Sequence, residues 1–515
     1  MMSSATLAWA LARIVASSEP AVPPNVEAVA EARRTTETAS TDEGEPDGTA
    51  PADGQDETVA GQDEPPPLPE LEPLPALPEL DALPELDALP ELDALPGPAV
   101  SPSPASPSDR VVDGPAQDEG LKVGDVMTGS LRIIGAFLHF DDIPALFPNG
   151  DDALVAAVAR VMVDRDFDGP LSLELNYYAD FTRSPGTAGG SGAFGTAGST
   201  ASAYRNPFLS WNLWQDGAVL GTAGVDRFAV GAKLGVVSLR AGRFPVSYSV
   251  TNFFTPNDVF APFSVTAVNR IYKPGVDAMQ VGVSLGMRGS VEVLGALGSD
   301  AEGDPGWGRS AVVARATVLG GGFEWAAMGG KLAERWLVGG SFQGGLGSVG
   351  LRGEAHLGVP DLEGNGRDRD EPLHVRLAAG PSLNVGWHGL NLGAEYAFYS
   401  DGARQPSQLI ERAGRLFPDD VPLLGRHYVG ASASMELIPI VQASALTLIN
   451  AGDGSGLAGL NLIYNVADEA DLLAGVFVPW GADPTVTGDP MQPLVLGSEQ
   501  GAGALALFLE ARTFF

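Results

Sequence analysis

The sequence predicts an all-β chain: a transmembrane, antiparallel, up-and-down β-barrel of about eighteen strands over residues 121–515. A disordered, acidic, proline-rich segment over residues 19–120 precedes it. Three observations carry this prediction. From Leu121 onward, short stretches of apolar/polar alternation are separated by Gly, Asp and Pro. The connections between those stretches alternate between short and long. The last stretch ends on Phe514-Phe515.

Composition sets the frame. The chain has 515 residues with 66 Gly, too many and too scattered for a helical protein, since Gly is costly inside helices. It has no Cys, which excludes disulfides, Cys-ligated zinc and thiol nucleophiles. The formal charge is −35; residues 1–120 carry 25 acidic and 4 basic side chains, and residues 121–515 the remaining 40 and 26. Neither part offers the basic patch that nucleic-acid binding needs. No apolar run reaches the length of a membrane-spanning helix. The five His (139, 356, 374, 388 and 427) show no zinc spacing, and His139 beside Asp141 and Asp142 reads as a solvated turn. There is no Gly-x-Ser-x-Gly elbow and no P-loop. No catalytic residue, metal or cofactor is therefore expected.

Residues 1–18 have some features of a degenerate signal peptide. Ala5–Ala12 is a short apolar run and Ala16-Ser17-Ser18 a small-residue cleavage site, but no Lys or Arg precedes the run and Arg13 interrupts it. Residues 19–120 are Pro, Ala, Glu, Asp, Ser and Thr with almost no aromatics, a composition that buries too little apolar surface to fold. Within them Leu-Pro-Glu-Leu-Asp-Ala repeats three times over residues 77–94. A proline every sixth residue forbids a helix and favours extended, polyproline-like chain. The segment reads as a periplasmic spacer, with contact to peptidoglycan or a periplasmic partner through the repeated Leu as the functional alternative.

Strands are expected at 125–138, 155–164, 169–182, 225–234, 236–244, 276–287, 289–298, 309–318, 322–332, 336–343, 347–359, 372–386, 389–400, 427–437, 440–450, 457–465, 470–480 and 501–515. The count falls to sixteen if two of these drop out together. In the third, Leu171, Leu173, Leu175, Tyr177, Ala179 and Phe181 make an apolar face opposite Ser172, Glu174, Asn176, Tyr178 and Asp180. Val349–Leu357 and Val429–Leu437 alternate likewise. With the last strand ending in the periplasm, the long connections 183–224, 245–275, 299–308, 360–371, 401–426 and 481–500 all fall outside. Tight links such as Met287-Arg288-Gly289 and Ile438-Pro439 fall inside, and Gly- and Ser-rich residues 186–202 read as a flexible external loop.

Aromatics cluster near strand ends: Trp325, Trp336, Trp387, Tyr396, Phe398, Tyr399, Tyr428, Tyr464, Phe477 and Trp480. They are expected to form the interfacial girdles. In the last strand Leu505, Leu507, Leu509, Ala511, Thr513 and Phe515 share a face opposite Glu510 and Arg512. This resembles the terminal strand of outer-membrane barrels, and the resemblance implies that Phe515 is read by the barrel assembly machinery.

The most distinctive text lies at 225–298. Val225-Asp226-Arg227-Phe228 leads to Leu239-Arg240-Ala241-Gly242-Arg243, then to Asn252-Phe253-Phe254-Thr255-Pro256-Asn257-Asp258-Val259-Phe260-Ala261-Pro262-Phe263 and Tyr272-Lys273-Pro274-Gly275-Val276-Asp277-Ala278. This resembles porin-like outer-membrane proteins in which a strand ending Gly-Arg-Gln is followed by Trp-Gly and an Asn-Pro-x-Asp-x-Phe-x-Pro loop. The named family that this text resembles is the alginate-export-type barrels. Phe244 stands where Gln is usual and Tyr248-Ser249 where Trp-Gly is usual, so no substrate follows.

Residues 245–275 are too apolar for a free external loop, which predicts that they fold into the lumen as a constriction. Asp258 would then face Arg227, Lys233, Arg240 and Arg315 on the inward parity. Packing of Phe253, Phe254, Phe260 and Phe263 at the barrel rim is the simpler alternative. The pore candidates are Arg227, Lys233, Arg240, Arg243, Asp258, Arg270, Lys273, Asp277, Arg315, Arg352, Glu354 and Arg376. His356, His374, Glu395, Glu436, Glu510 and Arg512 complete a charged, wettable inner face, since charge on the lipid face is costly. These features point to an outer-membrane channel for a small polar solute or ions, partnered by outer-membrane lipid. An adhesin or structural barrel with a closed lumen, or a barrel enzyme, are the rival readings.

Overall fold

The structure is a computed structural model that describes residues 127–140, 150–167, 169–183, 202–263, 272–417, 419–487 and 494–515. The signal-peptide region, the acidic N-terminal segment, Asp141, Asp142, Arg270 and most of the stretch 186–202 lie outside the described residues.

In chain order the strands are β1 (Met127–His139), β2 (Asp151–Asp166), β3 (Leu171–Arg183), β4 (Ser210–Asp216), β5 (Val219–Leu234), β6 (Val237–Phe244) and β7 (Val276–Ser284). Then come β8 (Gly289–Ala296), β9 (Ala311–Gly320), β10 (Phe323–Lys331), β11 (Arg335–Leu346), β12 (Val349–Pro360), β13 (His374–Asn384) and β14 (Asn391–Tyr399). The rest are β15 (His427–Ile438), β16 (Val441–Asn450), β17 (Gly456–Ala467), β18 (Ala470–Trp480), β19 (Thr485–Val486), β20 (Leu494–Val495) and β21 (Leu505–Phe514). A short helix α1 (Leu409–Gly414) lies between β14 and β15.

Each strand pairs antiparallel with its neighbours, and β21 closes the ring on β1 from Ser130↔Phe514 to His139↔Leu505. Eighteen strands form the closed wall. They are the eighteen that the alternation predicts, with ends shifted by a few residues. The additions are β4, which pairs only with the first part of β5, and the small β19–β20 hairpin. Both lie in long connections, where no sustained period of two announces them.

Alternation determines which side chain faces where. In β21 the outward Leu507 and Leu509 are exposed while the inward Phe508 and Glu510 are buried. Outside, Phe323, Trp325 and Phe342 cluster near the short turns and Trp336, Tyr396 and Trp480 near the long connections. Three of the expected girdle residues do otherwise. Tyr399, Tyr428 and Phe477 sit on the inward parity, buried against inserted chain or a neighbouring inward ring. An aromatic near a strand end belongs to the girdle only if its parity is outward.

The inner face changes along the barrel axis. In β7, inward Val276 and Ala278 at the long-connection end are buried, Gln280 is half-buried and Ser284 at the short-turn end is exposed. Strands β8 to β11 show the same gradient. The lumen is therefore filled with chain at the long-connection end and open at the short-turn end. The turns themselves are tight: Gly235, at φ 64°, lets β5 reverse into β6.

Candidate pore constriction

The filling comes from segments that leave strand ends and turn inward. Residues 245–263, between β6 and β7, cross to the opposite wall. There Glu354 of β12 accepts hydrogen bonds from the backbone N–H of Val250 (2.6 Å), Thr251 (3.3 Å) and Asn257 (2.9 Å) and from Ser249 Oγ. Glu395 of β14 accepts from the N–H groups of Asn252 (2.6 Å), Phe253 (2.8 Å) and Phe254 (3.4 Å). A loop without secondary structure must place its donors somewhere, and two buried strand carboxylates take six of them. Asn257 completes the attachment, donating to Gly340 O (3.1 Å) and pairing with His356 Nδ1 (3.2 Å). Phe253 and Phe254 pack inside against Gly430 and Tyr428, and Phe260 against Tyr204 and Tyr248. These Phe thus lie within the lumen rather than on the outer rim.

A second inward segment is the connection 401–426. Asp420 lies between Arg335 of β11 (2.7 Å) and Arg376 of β13 (2.7 and 2.8 Å). Asp401 pairs with Arg376 (2.7 Å) and with Arg412 of α1 (2.9 Å). Burial pushes the carboxyls of Asp420 and Asp401 up, but the facing guanidiniums outweigh it and hold both well below the usual range. A third segment, residues 202–206, enters beside β7; the Tyr204 hydroxyl accepts from Ala333 N–H (2.9 Å). The connection after β18 adds Glu499, which accepts from Leu424 N–H, Tyr428 Oη and Asn450 Nδ2.

Toward the open end the wall carries an ionic ladder. Glu174 lies between Arg227 (2.9 Å) and Arg240, and Arg315 lies between Glu292 (3.8 Å) and Glu324 (3.7 Å). Lys233 is inward and exposed at this end. Arg352 reaches the inserted segment at Asn252 Oδ1 (2.6 Å).

Several predicted site residues are placed differently from the expected arrangement. Asp258 pairs with Lys273 of its own connection, while Arg227, Arg240 and Arg315 pair with strand glutamates. A neighbour a few residues away along the same segment reaches it more readily than a wall strand. Arg243 and Asp277 pair with each other (2.7 Å) on the outward parity, and Asn206 bonds to both. They seal the wall above the end of β6 rather than line the lumen. Glu354 and Arg376 are inward and central, as attachment points. His139 pairs with Asp151 (2.7 Å) on the exposed surface.

Residue type alone missed Arg335, Asp401, Arg412, Asp419 and Asp420. A weaker signal for the loop members existed: 401–426 carries Leu409, Val421, Leu423 and Leu424, although it is more charged and less apolar than 245–275. Asp226 was hidden for another reason. A bulge opposite Asn176/Tyr177 turns it inward, between Arg160 (2.6 Å) and Arg205 (3.0 Å).

No protein-family model and no curated protein matches the sequence. Solved structures similar to it include OccAB4 of Acinetobacter baumannii, at 10% identity over 76% of this chain and 98% of that one, with a TM-score of 0.42. A BenF-like porin from Pseudomonas fluorescens is 9% identical over 76% and 97%, with a TM-score of 0.47. OccK11 of Pseudomonas aeruginosa is 8% identical over 76% and 96%, with a TM-score of 0.42. At such identities and scores the likeness transfers no substrate, loop role or site residue to this chain.

Proposed function

We propose that the chain is an outer-membrane channel through which a small polar solute or ions diffuse, with residues 245–263 as its constriction. The observation that carries this reading is the lumen itself: an open, ion-paired vestibule at the short-turn end, narrowed by a segment that two wall carboxylates hold in place. The apolar outer face and its two aromatic bands fit a bilayer, and the long connections then face the cell exterior. Arg227, Lys233, Arg240, Arg315 and Arg352 would set the field that a permeant meets. Diffusion requires no catalytic group.

Three finer readings belong with this one. The N-terminal segment lies in the periplasm as a spacer, with peptidoglycan or a periplasmic protein as its contact. Phe515 is the mark by which the assembly machinery takes up the barrel. The text at 225–298 sets the chain near alginate-export-type barrels, without naming a solute. A second reading, a structural or adhesive barrel with a closed lumen, is favoured by the chain that packs across the long-connection end.

Conductance of the full chain in a planar bilayer decides between them. Steps of uniform size are expected, with reversal potentials giving the charge preference. A correctly inserted, heat-resistant barrel that stays silent under all conditions would sink the channel reading in favour of the closed one.

A further inference from the structure

Three inserted segments meet at one side chain. Asp419 accepts a hydrogen bond from Ala203 N–H (3.0 Å) on one carboxylate oxygen and from Ala261 N–H (3.2 Å) on the other. Its neighbour Asp420 is held by Arg335 and Arg376 of the wall, so consecutive residues grip the wall and the other two inserted segments. Elsewhere each segment has its own anchor: Tyr204 on Ala333, and Asn257 on Glu354. Asp419 ties them to each other by hydrogen bonds, beside the ring contact of Phe260 with Tyr204. Both ends of one of these bonds are strained. Asp419 has φ 62° and Ala261 φ 48°, left-handed values that a residue with a Cβ adopts at a cost. Such conformations persist only where the surroundings enforce them.

We propose that Asp419 is a positioning residue of the channel, a strained latch that holds segments 202–206 and 255–261 across the lumen and whose release widens the passage. The proposal rests on the channel reading above. Beneath the latch, Thr255, Pro256, Asp258, Val259, Arg335 and Arg376 line a narrow cleft with Asp419 and Asp420, the place where a wider path would open. The titratable and charged groups around Asp419 are Asp420 on its own loop, Tyr204 on the first segment, Asp258 and Lys273 on the second connection, and Arg335 and Arg376 on the wall, with Glu334 and Arg412 acting on Asp420. Burial pushes the Asp419 carboxyl up to about 6; bonds from Ser202, Ala203 and Ala261 oppose the rise and Asp420 adds to it. The latched state thus takes up a proton more readily than a released, hydrated one. The latch is strongest in acid and weakens as the pH rises through about 6.

The test is single-channel recording of the full-length protein at about pH 5 and about pH 7.5, on wild type, Asp419→Ala and Ala261→Gly, each checked for heat-modifiable folding. Wild type should open more at the higher pH. Asp419→Ala should give larger steps than wild type at both values and lose the pH response. Ala261→Gly removes strain from the latched state, so its open probability should fall about fivefold with unchanged step size. Conducting wild type with an Asp419→Ala protein of the same step size and pH profile overturns the latch alone. A folded Asp419→Ala protein that is silent beside a conducting wild type also overturns the latch alone, and silence of both folded proteins overturns the channel reading with it. Should Asp419→Ala not fold, an Ala261→Gly open probability equal to or above wild type overturns the latch.

Discussion

Glu354 and Glu395 show what an inward parity position does when it carries a carboxylate beside a long inserted loop: each takes three backbone donors. Glu354→Ala leaves three donors of the loop without an acceptor, at about 1–3 kcal/mol for each that stays buried. Hydrogen exchange over residues 250–257 should then accelerate while β11 and β13 keep their protection; unchanged exchange in the loop would mean that something else holds it. Arg376 has the opposite role, a cation shared by two loop carboxylates. Arg376→Met leaves Asp420 to Arg335 and Asp401 to Arg412, and should lower stability by about 1–3 kcal/mol, read from the shift of a urea midpoint. The pH sign follows from the depressed carboxyls. Their contribution is complete above the ordinary carboxylate range and is lost only as the pH falls well below it, so moderate acid should spare the Asp420 anchor. Asp419 next door has the reverse dependence, because its partners are neutral amides and burial dominates.

Among the elements, the inserted segment is the one on which the proposed channel function turns. Replacing residues 250–257 by a short Gly-Ser linker should enlarge the single-channel step, because the packed Phe253 and Phe254 leave the lumen; an unchanged step would place the narrowest point elsewhere. The closing strand makes a different prediction. Phe515 exchanges two backbone hydrogen bonds with Gly129 (2.6 and 3.0 Å), and its ring occupies the space that a Cβ at Gly129 would need. Gly129→Val should therefore disturb the seam between β1 and β21. Gel-shift assays of refolded protein should show less heat-modifiable barrel for Gly129→Val and for deletion of Phe515. Equal folded fractions would show that the seam tolerates both. Strand β4 follows Asn206, which is fixed to Arg243 and Asp277, and pairs with the first part of β5.

For the whole molecule, the inside–outside assignment is the property most open to test. Leu460 faces out near the middle of β17, while Gln442 faces the open lumen on β16. Leu460→Arg should cost about 2–4 kcal/mol in lipid and Gln442→Arg little; urea titration in bilayers compares them. Equal costs would contradict the assignment. The asymmetry of the lumen, open at one end and packed at the other, is also a property of the whole. No single strand shows it, yet β7 to β11 share one gradient of burial.

Strand number, strand parity and the identity of the inserted segment were legible in the sequence because each depends on local information. A period of two assigns faces residue by residue, as in Leu171–Phe181, and an apolar loop such as 245–263 declares that it is not free in water. Partner choice was not legible. Asp258 was expected to reach wall arginines and pairs with Lys273, and Arg243 and Asp277 were expected in the lumen and seal the wall. Tyr399, Tyr428 and Phe477 were expected in the lipid girdle and pack inside. Asp419 and Asp420 gave no sign at all, since their meaning comes from Ala203, Ala261, Arg335 and Arg376, tens to hundreds of residues away in the chain. The sequence by itself determined a barrel with a charged interior and one inserted loop. Only the tertiary structure decided which charges meet, because ring closure and loop insertion bring together residues that no local period relates.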